Sequence, residues 1–313
     1  MLFTHSHSTL TFTMGNLMTK QLLKPTLLAM GLSGAAMCFS AHAAQVATDP
    51  GDYSPLPAGI DLGILYLQSF DNDEYYVNGQ RIENGPTLSA DIGLLRWVHY
   101  MEIGGFIVDP QIILPFGQLK LNAGGAETKA SGIGDPIVGA TIWLYNNTDT
   151  KRAFGVTGLV SLPLGSYDEE KGPVNLGENR TKFITQAAYV TPISEQFSLH
   201  LIGEYTFFGD NDDFGASDIS REQDDQYGYQ VHLNYHISDT TTASLNYYHD
   251  FGGETEVAGV KQQDELNSNR WQFTVQHFVQ PDLQVQLQYG RSISVENGFF
   301  ENDRINLRFV KVF

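Results

Sequence analysis

Leu283-Gln284-Val285-Gln286-Leu287-Gln288-Tyr289 alternates apolar and amide side chains without a fault. An extended chain sends neighbours to opposite faces, so Leu283, Val285, Leu287 and Tyr289 share one side and Gln284, Gln286 and Gln288 the other. The same two-residue period runs through Trp271, Phe273 and Val275 against Arg270, Gln272, Thr274 and Gln276. It returns in Tyr227, Tyr229, Val231, Leu233 and Tyr235 against Gly228, Gln230, His232, Asn234 and His236. Upstream, Phe154, Val156, Val160 and Leu162 alternate well, whereas 137–145 is apolar on both faces.

Carried along the chain, this pattern predicts strands over 58–70, 86–99, 103–118, 133–146, 151–164, 180–192, 196–208, 226–237, 240–251, 269–280, 282–294 and 302–313. Each has the ~9 or more residues that cross a tilted barrel wall. Short turns fall at 99–102, 147–150, 192–195, 238–239 and around Pro281. Longer polar connections fall between them, at 71–85, 120–132, 165–179, 209–225 and 252–268, with a brief one at 296–301. Alternation of short and long links is the mark of an up-and-down barrel with turns on the periplasmic side and loops outside. A soluble sandwich with Greek-key crossings has no reason to keep that order. The expected fold is therefore all-β, a transmembrane antiparallel up-and-down β-barrel of about twelve strands over 58–313, with its even strand count returning both ends to one side.

Composition agrees. A mean hydropathy of -0.21 is too low for a helical membrane protein. A barrel escapes that test because only alternate residues of each strand touch lipid. The 31 Gly, 15 Tyr and 19 Phe suit tight turns and aromatic girdles. Near the start, Met18-Thr19-Lys20-Gln21-Leu22-Leu23-Lys24 is a positive n-region, 26–39 is small and apolar, and Ala41-His42-Ala43 offers a small-x-small cleavage site. That core is too short to span a bilayer, which takes ~20 apolar residues. Residues 1–43 are thus expected to be a signal peptide cut between Ala43 and Ala44, with an over-long start before Met18. Met37 before Cys38 argues against lipoprotein cleavage. Residues 44–57, with Pro50, Pro55 and Pro57, are not strand-like and form either a plug in the barrel or a periplasmic tail.

The formal charge of -18 becomes -20 once Lys20 and Lys24 leave with the leader. Such a chain repels phosphate backbones, so nucleic acid is not an expected partner. The one cysteine, Cys38, leaves too, and with it any disulfide, thiolate metal site or thiol nucleophile.

Loop 209–225 is acidic: Asp210, Asp212, Asp213, Asp218, Glu222, Asp224 and Asp225 face only Arg221. Cation enrichment at a pore mouth is one reading, and a solvated loop surface is the plainer one. Asp210-Asn211-Asp212-Asp213-Phe214-Gly215 fails as an EF-hand because Phe214 stands where an oxygen ligand belongs. Strand alternation turns Glu204, His232, Arg270, Gln284, Gln286, Gln288, Arg304 and Arg308 inward as pore-lining candidates. Twelve strands exceed the eight that side chains alone fill, so space or a plug is expected inside. His200, His232 and His236 also turn inward with Ser198 and Ser244, and a Ser-His pair could form across strands. Without a Gly-x-Ser-x-Gly elbow the plainer reading is lumenal histidines. No catalytic residue, metal site or cofactor is assigned. A lipid hydrolase and an adhesive barrel stand as rival readings.

The chain ends Ile305-Asn306-Leu307-Arg308-Phe309-Val310-Lys311-Val312-Phe313. Phe309 and Phe313 on an alternating last strand resemble the signal read by the barrel-assembly machinery. Lys311 interrupts the apolar row, as an interfacial snorkelling lysine can.

Four stretches carry a family resemblance: Asp52-Tyr53-Ser54-Pro55-Leu56-Pro57-Ala58-Gly59, Gly132-Ile133-Gly134-Asp135-Pro136, Leu162-Pro163-Leu164-Gly165-Ser166-Tyr167-Asp168 and Asn175-Leu176-Gly177-Glu178-Asn179-Arg180. In this order they resemble the phenol-degradation (meta-pathway) family of outer-membrane proteins, which overlaps the SphA-like transporters. Leu164 replaces the threonine usual before the Gly165-Ser166-Tyr167 stretch. The resemblance implies a barrel in the bacterial outer membrane, surrounded by its lipids, that passes small hydrophobic or aromatic solutes. N-terminal sequencing of the exported protein is expected to begin at Ala44, and a start inside 1–40 would displace the cleavage assignment.

Overall fold

The computed structural model describes residues 48–215 and 219–313. The leader and the Ala43/Ala44 junction lie outside the described residues. Among the described residues, twelve long strands build the wall: β1 (Asp61–Asn72), β2 (Thr87–His99), β3 (Phe106–Ala123), β4 (Ile137–Asn147), β5 (Arg152–Ser161), β6 (Lys182–Pro192), β7 (Phe197–Phe208), β8 (Gln226–Ser238), β9 (Thr241–Gly252), β10 (Leu266–Gln280), β11 (Leu283–Val295) and β12 (Asp303–Val312). Each is antiparallel to the next. β1 pairs with β12 from Leu62↔Val312 to Asp71↔Asp303, which closes the sheet.

Closure answers a solvent problem. Hydrocarbon offers no partner to a backbone amide, so a spanning sheet cannot keep an open edge. The last residue takes part: Phe313 N–H donates to Asp61 O at 2.9 Å and Asp61 N–H returns a bond to Phe313 O. The Phe313 ring packs against Trp97 at 5.5 Å and across Gly63.

The two faces are inverted relative to a soluble protein. On β8, Tyr227, Tyr229, Leu233 and Tyr235 are exposed on the outside, while Gln226, Gln230, His232 and Asn234 are buried inside. Aromatic pairs ring both ends of the apolar band: Phe183–Phe207, Tyr205–Tyr227 and Tyr227–Phe251 at the loop end, Phe197–Tyr235 and Trp97–Phe313 at the turn end. These are the girdles expected where a barrel meets lipid headgroups.

The strand count, order and link alternation follow the sequence reading, but several predicted loops are themselves sheet. β3 runs on to Ala123 and turns into a strand over Ala126–Ile133. Loops 209–225 and 252–268 contribute Asn211–Phe214, Ile219–Gln223, Thr255–Val257 and Val260–Lys261 to a four-stranded sheet, and Glu74–Val77 pairs with Gly298–Phe300. These extensions are short and bury only scattered residues, such as Tyr75, Ala130, Phe214 and Phe299, so no sustained apolar–polar period marks them in sequence. The fourth strand begins at Ile137 instead of 133, because Gly134-Asp135-Pro136 leaves the ladder and Pro136 cannot donate to it. At Gly117 (φ +153) a Cβ would stand 2.2 Å from Asp91 O, so β3 can pass β2 there only as glycine.

Leu287 is 54 % exposed in the middle of β11. Leu287→Arg is expected to lower folding free energy in phospholipid vesicles by about 2–4 kcal/mol, the range for a cation at the bilayer midplane. Denaturant titration measures it, and a change below about 0.5 kcal/mol would place this face in water instead.

Candidate functional site: a divided lumen

Residues 48–57 bond to inward-facing groups of the wall at mid-height. Thr48 donates from N and Oγ1 to Gln230 Oε1 at 3.1 and 2.8 Å. The Tyr53 hydroxyl donates to Gln186 Oε1 and lies 2.8 Å from Thr157 Oγ1, while Gln186 donates on to Glu204 at 2.6 Å. Asp52 sits between two arginines, with Arg308 donating at 2.7 Å and Arg96 at 3.1 Å. Asp49 accepts from Gln288 at 2.7 Å and faces Arg308 at 3.6 Å. Each carboxylate thus meets a cation, as a buried charge must.

Two cavities flank this segment. The one toward the loops, about 150 Å³, is lined by the apolar Phe70, Ile92, Leu94, Ile113 and Ile137 with Arg96, Asp135, Glu178 and Lys182 among them, and opposite by Arg270, Gln272, Arg304 and Asn306. The one toward the turns, about 520 Å³, is lined by Gly51, Ser54, Ser198, His200, His236 and Gln276 among others. The inner surface is therefore two-sided. β1–β6 turn in many apolar side chains, such as Ile64, Leu119, Leu159 and Ile184, beside polar ones such as Asp109, Thr157 and Gln186, whereas β7–β12 turn in mostly amides, hydroxyls and arginines. The stretch 137–145, apolar on both faces in sequence, belongs to the apolar half.

The predicted inward residues are placed as follows. Glu204 is buried and accepts from Gln186. His232 is fully buried, stacked with His200 at 6.3 Å and 5.6 Å from Tyr248. Arg270 lies over the Tyr248 ring at 3.8 Å. Gln288 bridges Asp49, Thr274 and Asn306, Gln286 is buried beside it on the same face, and Gln284 is half-buried near the turn end. Arg304 is bound twice by Glu301, at 2.9 and 2.5 Å. Arg308 meets Asp52 and Asp49. Phe309 lies on the outer face and Phe313 is exposed at the closure. Arg96, Asp49 and Tyr248 were not singled out in sequence, and Asp52 and Tyr53 entered only as part of a family-resembling stretch. Arg96 carried a signal, since it shares the inward parity of Leu88, Ala90 and Val98 on β2.

Ser198 Oγ and His236 Nε2 lie 3.0 Å apart, and His236 Nδ1 faces Thr242 Oγ1 at 3.3 Å. A hydroxyl, not a carboxylate, thus occupies the position of an orienting third group.

Three of the four resembling stretches converge at the loop end. Asp135 accepts from Gly165 N at 2.9 Å and Glu178 N at 2.8 Å, and Ser166 N donates to Ile133 O at 2.7 Å. Gly165 packs so closely that a Cβ would stand 2.6 Å from Gly134 C. Burial raises the Glu178 pKa, but Lys182 and Arg180 outweigh it and hold the carboxyl at about 2. Arg180 also donates to Gln223, tying loop 162–181 to the acidic loop. Asp218 of that loop lies outside the described residues. Among the described residues no group of three or more His, Cys, Asp or Glu is arranged to hold a metal ion.

A family profile described as "Putative MetA-pathway of phenol degradation" matches residues 71–309. The chain belongs to this family. It is 36 % identical to an outer membrane channel from Pseudomonas putida F1 whose crystal structure superposes with a TM-score of 0.82, covering 85 % of this chain and all of that one. The transport unit of the autotransporter AIDA-I from Escherichia coli (9 % identity, TM-score 0.52, 89 % and 98 % covered) shares the barrel fold alone. The β domain of the Bordetella autotransporter BrkA (7 %, 0.50, 80 % and 99 %) does likewise. Comparison with curated protein sequences finds no match. With the closed twelve-strand wall, these likenesses put the protein in the bacterial outer membrane.

Because Glu178 is depressed in the folded protein, its contribution is present above the ordinary carboxylate pKa of ~4.3 and lost as pH falls through about 2. Amide protection factors in loop 162–181 are expected to hold at pH 4 and collapse near pH 2, and Glu178→Gln should remove that pH dependence.

Proposed function

We propose that this protein is an outer-membrane channel for small hydrophobic or aromatic solutes, with residues 48–57 as a constriction that divides its lumen. The observation that carries the reading is the two-sided interior. A pore for hydrated solutes alone gains nothing from the apolar row Phe70, Ile92, Leu94, Ile113 and Ile137, which water wets poorly. An apolar solute loses its hydration cost against that row, while the amides and arginines opposite keep the interior from sealing as a dry core. The similarity to an outer membrane channel supports passage, and the family description supports aromatic cargo.

The charge pairs at Asp52 set how firmly the constriction holds. Asp52→Ala leaves Arg96 and Arg308 facing each other in a buried site, at a cost of about 3–5 kcal/mol. The segment is expected to leave the lumen, and conductance in planar bilayers should rise several-fold over the wild type. The function itself is tested by uptake of toluene or phenol into cells with and without the gene. Uptake should fall severalfold on deletion and return on complementation; equal uptake would end the proposal. We assign no catalytic step. Ser198→Ala should leave uptake unchanged, and a lipase activity lost in that variant would favour the hydrolase reading.

A further inference from the structure

The apolar half of the lumen has its own roof. A buried apolar cluster joins Phe70, Leu119 and Leu121 of the wall to Tyr75, Val174 and Phe299 of three different loops. Among the described residues none of its members comes from β4–β9, so it covers one side of the outer mouth. Phe70 and Leu119 also line the loop-side cavity, and Ile92 and Leu176 pack against the cluster and line that cavity too. In the loop that carries Tyr75, Val77 and Ile82 are exposed, and Ile82 N–H donates to Tyr75 O at 2.8 Å. Apolar side chains thus lead from the loop surface through the cluster to Leu94, Ile113 and Ile137. The flanks of the cluster are fastened separately. Val174 and Leu176 ride on loop 162–181, which Asp135 holds through Gly165 N and Glu178 N. Tyr75 and Phe299 meet at 5.1 Å across the pairing of Glu74–Val77 with Gly298–Phe300, and Asn297 ties that pair to Asn78 and Glu265. Polar bonds therefore keep each flank folded while the apolar contacts between the flanks exchange.

We propose that this cluster is the outer entry site for uncharged apolar solutes, which pass between Val174 on one flank and Tyr75 and Phe299 on the other. They reach the loop-side cavity directly, because Phe70 and Leu119 belong to both. The inference rests on the channel reading and deepens it by fixing where solutes are selected. An apolar solute replaces the cluster's own contacts with equivalent ones as it passes. A hydroxyl or a charge finds no hydrogen-bond partner among the side chains of Phe70, Leu119, Val174 and Phe299, and enters at a loss. The site therefore ranks solutes of one size by polarity, toluene ahead of phenol. Ions keep to the side of β7–β9, whose inward residues are mostly polar.

Uptake of radiolabelled toluene and phenol, each taken as the difference between cells with and without the gene, tests the site. The wild type should favour toluene at least fivefold. Val174→Asn puts an amide into the cluster and should lower that preference at least threefold, whereas Val174→Ile should retain it. Phe299→Gln serves as a second variant should Val174→Asn not give the heat-modifiable folded band, and it should lower the preference likewise. Potassium conductance in planar bilayers should stay within twofold of the wild type in each variant. A wild type without preference, a preference unmoved by both polar variants, or a conductance raised severalfold by them would overturn the assignment. Gene-dependent toluene uptake in any of those cases leaves the channel reading standing, with entry elsewhere. Gene-dependent uptake of neither solute by the wild type would instead remove the channel reading itself.

Discussion

An amide that faces hydrocarbon has only another strand to bond to, and the rest of this molecule depends on that constraint. The ladder between β1 and β12 leaves no edge within the wall, and the terminal Phe313 shares bonds with Asp61 so that the seam ends in a matched pair. Closure creates two environments from one sheet. Outward positions must suit lipid, inward positions are shielded from it, and the period of two sorts the residues between them.

Inside, charge governs position. The segment from Thr48 to Pro57 has no ladder to hold it, and the described contacts that hold it are side-chain bonds to the wall. Asp52 is the strongest of these because two guanidiniums meet one carboxylate where water is scarce.

The division of the interior into an apolar and a polar half is a consequence of chain order. β1–β6 and β7–β12 are contiguous halves of the sequence, so a change in the inward composition midway along the chain becomes a change across the lumen. Loop 162–181 caps the apolar half through Asp135, whose two accepted backbone bonds join stretches 30 and 43 residues apart.

Much of the wall was legible because alternation is a local property. Leu283 to Tyr289 declares its two faces without reference to any other strand, and short and long links declare the up-and-down order. The loop hairpins were not legible, since Ala126-Glu127-Thr128-Lys129 meets water on both sides and its pairing with β3 leaves no pattern. Inward residues such as Arg304 and Arg308 could be named from parity, but their partners could not. Glu301 precedes Arg304 by three residues, whereas Asp52 and Arg308 are 256 apart, and only the folded chain brings them within 2.7 Å. By itself the sequence determined which residues face lipid, how many times the chain crosses and where it turns, because each follows from neighbours along one strand. Which carboxylate meets which arginine was decided by tertiary structure, since charge pairing in a closed lumen depends on distances across it.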